Sequence, residues 1–261
     1  MRVGADTGGT FTDVVAEDGT IAKLPSTPDD PGRAVRAGVS ALASGGVRVL
    51  AHGTTVATNA LLERRGAAVT LVTTRGFADV IEIGRQDRPS LYDAAVDRPV
   101  PLVPRERRVE VGGRLAADGT ELEALHPSDV PELPATTEAV AVCLLHADLD
   151  PRHEQVVAEA LRVRGHDVSA SHEVSPEYRE VERTSTTVVN AYLRPRCRDY
   201  LRALDDAAGQ VLVLTSAGGL VPAGEVAERP ASLLLSRPAG GVRAAAAVAA
   251  ACGWPDARAV S

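Results

Sequence analysis

The sequence predicts an α/β fold in which a mixed sheet opens with a β-hairpin and is flanked by helices. Small and apolar residues lead into Asp6, apolar Val14 and Val15 follow Asp13, and Gly8-Gly9 lies between the two runs. This pattern is typical of two antiparallel strands joined by a tight turn. Further along the chain, short apolar runs alternate with capped helical segments, as they do in a sheet covered by helices.

Composition limits the classes of protein to which the chain can belong. Its 261 residues suffice for one large or two smaller domains, and 44% hydrophobic with 24% charged residues is typical of a soluble globular protein. A net charge of -7, without any Lys/Arg-rich run, argues against nucleic acid as a partner. No stretch reaches the ~18 apolar residues that cross a bilayer, so no membrane partner is expected. Three widely spaced cysteines are expected to be reduced thiols in a cytoplasmic protein.

The segments after the hairpin predict the rest of the first sheet and its helices. They are a strand over Thr20–Leu24, a helix from Asp30-Pro31 to Gly45, a strand over Val47–Ala51, a helix capped by Thr54 or Thr55, and a strand over Ala67–Val72. Residues 85–137, rich in Arg, Pro and Gly, are predicted as an insertion. A strand over Ala139–Leu145, a helix after Asp150-Pro151 and an edge strand over Asp167–Ser169 close this first domain.

The last third of the chain has a different pattern. A long polar helix is predicted from about Pro176 to Leu204, with polar groups of its Glu182–Leu193 run facing a cleft between domains. Val211–Leu214 is predicted as a strand that begins a second, similar sheet, followed by an alanine-rich helix near Ala244. The predicted domains are therefore residues 1–180 and 181–261. A strand pair with one helix cannot bury an apolar face alone, so the chain is expected to be incomplete as a folding unit.

The hairpin itself has the composition of a phosphate-binding loop. Glycines at the turn leave the backbone N–H groups accessible to an anion, and threonine hydroxyls add donors. The candidate phosphate ligands are Thr7, Gly8, Gly9, Thr10 and Thr12. Asp6 at a strand end could hold a hydrated Mg²⁺. An ordinary hairpin turn would also favour Gly-Gly and Thr, and the spacing alone does not separate the two interpretations.

Two further clusters are candidates for contact with a substrate. His52, Thr54, Thr55 and Asn59 lie where a strand gives way to a helix, which is where open α/β sheets bind ligands. A capped helix with a hydrogen-bonded histidine would have the same residues. Arg85 and Arg88 lie in a compact polar segment that could grip a carboxylate or phosphate, or could be a solvated loop.

These motifs resemble a known family. The pattern Asp-x-Gly-Gly-Thr-x-Thr-Asp at residues 6–13 resembles the first phosphate loop of the sugar kinase, actin and heat-shock chaperone superfamily. Four segments are similar to the hydantoinase/oxoprolinase family, in particular to its hydantoinase A-type members. They are the same hairpin motif read from Gly4 onward, His52–Asn59, Arg85–Pro89 and Glu182–Leu193. The resemblance covers nearly the whole chain and implies an actin-like (ribonuclease H-like) fold.

The resemblance also implies a chemistry. Members use ATP and Mg²⁺ to phosphorylate the carbonyl oxygen of a cyclic amide, of the hydantoin or 5-oxoproline type, which is then hydrolysed. By this resemblance Thr7, Gly8, Gly9, Thr10 and Thr12 would hold phosphate and Asp6 the metal, and Asp13 is a candidate for orienting the attacking group.

The alternatives are a subunit of an ATP-dependent ketone carboxylase and a non-catalytic remnant or split subunit that binds a partner. The expected partner is either a C-terminal half or a hydantoinase B-type subunit, because relatives continue into a second phosphate loop beyond the position of Ser261. A second departure is Arg237, which lies where the family wording Ser-Gly-Pro-Ala-Gly-Gly has glycine.

Overall fold

The computed structural model describes residues 1–27, 29–43 and 45–254. The strands are β1 (Arg2–Thr7), β2 (Phe11–Ala16), β3 (Ile21–Pro25), β4 (Val49–Thr54), β5 (Val69–Thr74), β6 (Arg108–Val111), β7 (Arg114–Leu115), β8 (Glu121–Glu123), β9 (Ala139–Cys143), β10 (Val168–Ala170), β11 (Gln210–Leu214) and β12 (Leu220–Pro222). The helices are α1 (Pro31–Leu42), α2 (Val56–Leu62), α3 (Val80–Ile83), α4 (Arg152–Val163), α5 (Ser171–Val174), α6 (Glu180–Arg202), α7 (Ala223–Glu228) and α8 (Ser236–Ala251).

The chain forms two compact units. The first contains Met1–Arg65 together with the chain from Arg196 onward, and the second is Gly66–Pro195. Each unit has its own principal sheet, and the second unit is inserted between two segments of the first.

The first unit is built on a six-stranded mixed sheet with the order β12-β11-β4-β1-β2-β3. β2 runs antiparallel to both β1 and β3, whereas β4 pairs in parallel with β1 and β11. Alternation along β1 and β2 buries Val3, Ala5, Val14 and Ala16 on one face, which α1 covers. The predicted opening hairpin and the mixed sheet flanked by helices are confirmed.

The second unit has a four-stranded sheet with the order β10-β9-β5-β6, in which all pairs are parallel. β5 and β9 are buried along their whole length, as strands of a parallel sheet covered on both faces should be, although three of the six residues of β5 are threonines. Helix α4 packs Val157 and Leu161 into the core of this unit.

Two expectations about the wider architecture are wrong, each because pairing partners are distant in sequence. The strand predicted at residues 67–72 does not join the first sheet, since β5 pairs with β6 and β9. The segment predicted as an insertion, residues 85–137, contains β6, an edge strand of that second sheet, and its being an insertion stays a prediction. The strand at Val211–Leu214 does not begin a further sheet, because β11 pairs in parallel with β4 of the first.

The long helix is confirmed, but its polar run does not face an open cleft where it lies in the second unit. Arg183 is buried there and donates to Asp148 Oδ1 at 3.0 Å and to the carbonyl of Leu144 at 3.1 Å. Thr187 and Asn190 are also buried. The predicted domain boundary at residue 180 coincides with the first residue of α6, which continues unbroken into the first unit.

In the part of the chain that the structure describes, no helix combines the length and the apolar character needed to traverse a bilayer.

Close packing of α1 on the first sheet gives a test of the fold. A Cβ at Gly38 would lie 2.5 Å from Cγ2 of Val14 and 3.0 Å from Cδ1 of Leu24, which is too close. Gly38→Ala gains up to ~1 kcal/mol of helix propensity but overpacks the core by about 1–3 kcal/mol. We therefore expect Gly38→Ala to be less stable than the matched Gly224→Ala, whose Cβ would meet no atom within 4 Å. Urea unfolding of both variants measures the difference, and equal stabilities would contradict this packing.

Candidate functional site

The β1–β2 hairpin places two sets of residues on opposite faces of the first sheet. Thr7 pairs with Thr12 and Asp6 with Asp13, and the turn is closed by the N–H of Gly8 donating to the carbonyl of Phe11 at 3.0 Å. Thr7 and Thr12 are buried on the face covered by α1, whereas Asp6 and Asp13 are partly exposed on the other face. The five candidate phosphate ligands are therefore not equally accessible.

Ser26 holds the turn in place, a role that no motif in the sequence indicates. Its hydroxyl donates to the carbonyl of Gly8 at 2.7 Å and lies 3.1 Å from the Thr12 hydroxyl, while its N–H donates to the carbonyl of Thr10 at 2.9 Å. Thr12 is thus engaged inside the fold, where it braces the hairpin through Ser26. A residue just after β3 is brought to the turn only by the antiparallel pairing of β2 with β3.

The tip of the hairpin has free backbone donors. Among the described residues, no acceptor receives a hydrogen bond from the N–H of Gly9 or of Thr10. Both residues are exposed, and a Cβ at Gly9 would meet nothing within 4 Å. Successive unpaired N–H groups in a turn favour an anion, so the tip fits a phosphate group.

Asp6 and Asp13 have different ion-pair partners. Asp6 Oδ2 accepts from Arg237 Nη2 at 2.6 Å, and Asp13 Oδ1 accepts from Lys23 Nζ at 2.7 Å. A Cβ at Gly53 would lie 3.0 Å from Asp6 Oδ1, so glycine at residue 53 leaves space for the carboxylate. In the described part of the chain no three His, Cys, Asp or Glu residues are grouped as metal ligands. A single carboxylate such as that of Asp6 is a type of ligand that Mg²⁺, which keeps several of its waters, uses in proteins.

A cavity of about 480 Å³ lies beside the hairpin, within the first unit. It is lined by Thr7, Gly8 and Gly9, by residues around the start of α1, by one side of α2, and by the C-terminal part of α6. Its charged lining residues are Asp29, Asp30, Glu63, Asp199, Arg65 and Arg196. The acids outnumber the bases, so the cavity itself favours a neutral or cationic ligand over a phosphate.

Thr55 and Asn59, two of the predicted substrate residues, line this cavity. The hydroxyl of Thr55 donates to the carbonyl of Thr7 at 3.3 Å and accepts from Asn59 Nδ2 at 3.4 Å. This chain of hydrogen bonds connects the start of α2 with the end of β1. Thr54 is buried at the end of β4, where its hydroxyl accepts from the N–H of Val56 at 3.2 Å.

His52 lies inside the fold. It is fully buried, with Nδ1 at 3.1 Å from the carbonyl of Ala5 and Nε2 at 2.5 Å from the hydroxyl of Tyr200. Burial lowers the pKa of His52 to about 4, so the ring is neutral at pH 7. Because a carbonyl only accepts, Nδ1 carries the hydrogen and Nε2 accepts from Tyr200. Burial also raises the pKa of Tyr200 to about 12, so its hydroxyl stays protonated.

Tyr200 lines the cavity and was missed by the sequence analysis. Residues 52 and 200 meet because β4 and the C-terminal part of α6 belong to the same unit, and nothing in the local sequence indicates that contact. His52 therefore reaches the cavity indirectly, as the residue that holds Tyr200 in place.

Arg85 and Arg88 belong to the second unit, whereas every lining residue of the cavity belongs to the first. Arg85 Nε donates to Glu182 Oε1 at 2.6 Å, and Arg88 is exposed. Their assignment to substrate contact stays a prediction.

Comparison with protein families gives two matches in succession along the chain. The family described as hydantoinase/oxoprolinase N-terminal region matches residues 2–165, and the family described as hydantoinase/oxoprolinase matches residues 183–256.

Individual proteins of this family are similar to the chain over nearly its whole length. The alpha subunit of caprolactamase from Pseudomonas jessenii is 36% identical over 95% of this chain, and 5-oxoprolinase 1 of Arabidopsis thaliana is 35% identical over 93% of it. This chain spans 40% of the length of the first protein and 23% of the second.

Solved structures share the fold. The crystal structure of ATP-dependent caprolactamase from Pseudomonas jessenii has a TM-score of 0.80 at 33% identity, covering 97% of this chain and 41% of that one. The nucleotide-free structure of acetone carboxylase also has a TM-score of 0.80, at 26% identity, with 97% and 41% covered. These likenesses confirm the predicted actin-like α/β class.

The buried His52 predicts a pH dependence of stability. The unfolded chain protonates His52 below its ordinary pKa of 6.5, whereas the folded chain resists protonation until about pH 4. The unfolded state therefore binds more protons between these values, and the free energy of unfolding falls as the pH drops, by about 1.4 kcal/mol per pH unit.

Urea unfolding at a series of pH values measures this slope. His52→Gln keeps an acceptor for Tyr200 but removes the titrating group, so its slope between pH 6.5 and 4 should be shallower than that of the unmutated chain. Parallel slopes would show that His52 does not titrate as its burial requires.

Proposed function

The chain belongs to the hydantoinase/oxoprolinase family, and we propose that it supplies the ATP-binding N-terminal part of an enzyme that hydrolyses a cyclic amide. The observation that supports this most directly is the hairpin tip, where, within the described part of the chain, the N–H groups of Gly9 and Thr10 donate to no acceptor and Asp6 lies on the strand that leads into the turn. Enzymes of this family are ATP-dependent, and the relatives include a caprolactamase and 5-oxoprolinases, which supports a cyclic amide as the substrate.

Each part of the site has a role in this proposal. Gly8, Gly9 and Thr10 bind phosphate through the turn, while Thr7 and Thr12 shape and brace it from the buried face. Asp6 is the ligand for Mg²⁺. Bound ATP would supply the phosphoryl group that activates the amide carbonyl oxygen. Hydrolysis of the activated amide would then consume two waters, one that adds to the carbonyl carbon as the ring C–N bond breaks and one that releases the phosphate, which leaves a carboxylate and an amine. Holding these groups in line and neutralising their charge provides most of the rate in phosphoryl transfer.

Asp13 has a weaker claim to a catalytic role. Its carboxylate lies on the same face as Asp6 and is paired with Lys23, which also lies 4.8 Å from the centre of the Phe11 ring. Asp13 could orient an attacking group only after exchanging that lysine. We retain it as a candidate with that requirement.

The cavity beside the hairpin suits the amide. An uncharged lactam or hydantoin ring is compatible with an acidic lining that would repel phosphate. Thr55, Asn59 and Tyr200 supply hydroxyl and amide groups there, and Tyr200 directs its hydrogen to His52. The cavity would therefore hold the substrate while the hairpin tip holds the nucleotide.

The complete activity requires more protein than this chain supplies, in our proposal. Its relatives are longer, and one of them is a subunit by name. The additional part is either a C-terminal half that carries a second phosphate loop or a hydantoinase B-type subunit. We place the assembly in the cytoplasm, consistent with three free cysteines.

A second candidate function is the ATP-dependent carboxylation of a ketone. The likeness to acetone carboxylase, with the same TM-score as caprolactamase, supports it. ADP release in the presence of the additional segment or subunit distinguishes the two functions. We expect release with hydantoin, 5-oxoproline or caprolactam. Release only with acetone and bicarbonate would favour the carboxylase, and release with neither would favour a non-catalytic subunit.

Gly9 offers a test that separates nucleotide binding from folding. Gly9→Val adds a side chain that the protein has room for but that fills the space above the free N–H groups. We expect an unchanged unfolding temperature and an affinity for Mg-ATP at least ~10-fold weaker, because charged hydrogen bonds of about 1.5–3 kcal/mol are lost.

The matched control is Gly45→Val, which also points into open space but lies in the loop between α1 and β4, outside the hairpin. Isothermal titration calorimetry should show that Gly45→Val binds Mg-ATP as the unmutated chain does. Normal binding by Gly9→Val would remove the hairpin tip from the nucleotide site.

A further inference from the structure

Arg237 lies directly over the hairpin. Its Nη2 donates to Asp6 Oδ2 at 2.6 Å, and its Nη1 would lie 3.4 Å from a Cβ at Gly8. The guanidinium therefore covers both the carboxylate and the backbone of the turn. No other guanidinium in the described residues is ion-paired with Asp6.

The position of Arg237 is set by the packing of α8. Gly240, three residues further along the helix, approaches the first sheet so closely that a Cβ there would lie 2.5 Å from Leu214 Cδ2. Leu235, just before the helix, has a left-handed backbone with φ of 60°. The first turn of α8 is thereby pressed against the end of β11, which is parallel to β4 and so to β1.

From this geometry we propose that Arg237 is a phosphate-binding residue of the hairpin, held over the turn by Asp6 until a nucleotide arrives. The inference rests on the proposed function and extends it to a residue that the family wording does not contain. A guanidinium presents paired N–H donors that match phosphate oxygens. At this place it provides the positive charge that neither the acidic cavity nor the two free N–H groups supply.

Asp6 can release Arg237 readily. Both side chains are almost half exposed, at 45% for Arg237 and 43% for Asp6, and exposed ion pairs contribute little to stability. When Mg²⁺ accompanies the phosphate, Asp6 can turn to the metal while Arg237 turns to the phosphate oxygens. When Mg²⁺ is absent, Arg237 still neutralises Asp6 and attracts the anion. Without metal, a phosphate therefore binds to the hairpin more tightly than it would bind to a loop whose carboxylate had no ion-pair partner.

The experiment measures binding of ATP and of inorganic tripolyphosphate to the full chain by calorimetry, with Mg²⁺ and with EDTA. We expect Arg237→Gln to weaken binding in EDTA at least ~10-fold, as the loss of charged hydrogen bonds implies. Adding Mg²⁺ should then raise the affinity of Arg237→Gln by a larger factor than it raises that of the unmutated chain, because the freed Asp6 gains most from the metal. A merely structural arginine would not change this ratio.

The matched control is Arg243→Gln, which removes the same charge from the same helix at a position that bonds to the carbonyl of Gly218. It should bind both probes as the unmutated chain does. Equal affinities and equal Mg²⁺ factors for Arg237→Gln and the unmutated chain would overturn the role of Arg237 and leave the proposed function standing. Failure of the unmutated chain to bind either probe would overturn both.

Discussion

The parallel pairing of β1 with β4 is the constraint on which the site depends. β1 is hydrogen-bonded on both sides, to β2 and to β4, and its register places Thr7 beside Thr54. The carboxyl ends of the two parallel strands therefore lie together at one edge of the sheet, where ligands of open α/β sheets bind. The hairpin turn follows one strand and α2 follows the other, so the turn and the cavity are neighbours because of this single pairing.

The charges around the hairpin divide the site into two regions. On the buried side, the cavity has an excess of carboxylates, of which Asp30 is partly neutralised by Arg36 at 2.9 Å and Glu63 by Arg65 at 3.1 Å. On the other side, Asp6 is paired with Arg237. An anion is therefore favoured at the tip and on the Arg237 side and disfavoured in the cavity. This distribution of charge would keep an anion at the tip and leave the cavity beside it for a neutral or cationic ligand.

The sequence allowed the local elements to be predicted, because their signals are local. Gly8-Gly9 between apolar runs predicted the hairpin, and Asp30 before Pro31 predicted the start of α1, which Asp30 caps through its Oδ1. The sheet to which a strand belongs could not be predicted in the same way. The apolar runs of β5 and β11 look alike, yet β5 is in the second sheet and β11 in the first, since only long-range pairing distinguishes them.

The same limit applies to the site. His52 stood out because it lies at the end of a strand, but whether a histidine faces a ligand or the interior depends on what packs against it, here Tyr200 from 148 residues away. Ser26 and Tyr200 have no motif of their own and enter the site only through tertiary contacts. Arg237 was visible as a departure from the family wording, and the structure adds its contact with Asp6 across 231 residues.

The Asp6–Arg237 contact can serve the binding of a phosphate only if it is a weak ion pair. An exposed pair is worth about 0–1 kcal/mol, so giving it up costs little, and a guanidinium can present two parallel N–H donors to a phosphate. In our proposal the exchange of Asp6 for phosphate is thereby favoured for Arg237, and a Mg²⁺ takes the place of the guanidinium at Asp6. Had the pair been buried, its disruption would have cost more than the phosphate contact returns. The partial exposure of both side chains is therefore what the proposed exchange of Asp6 for a phosphate requires.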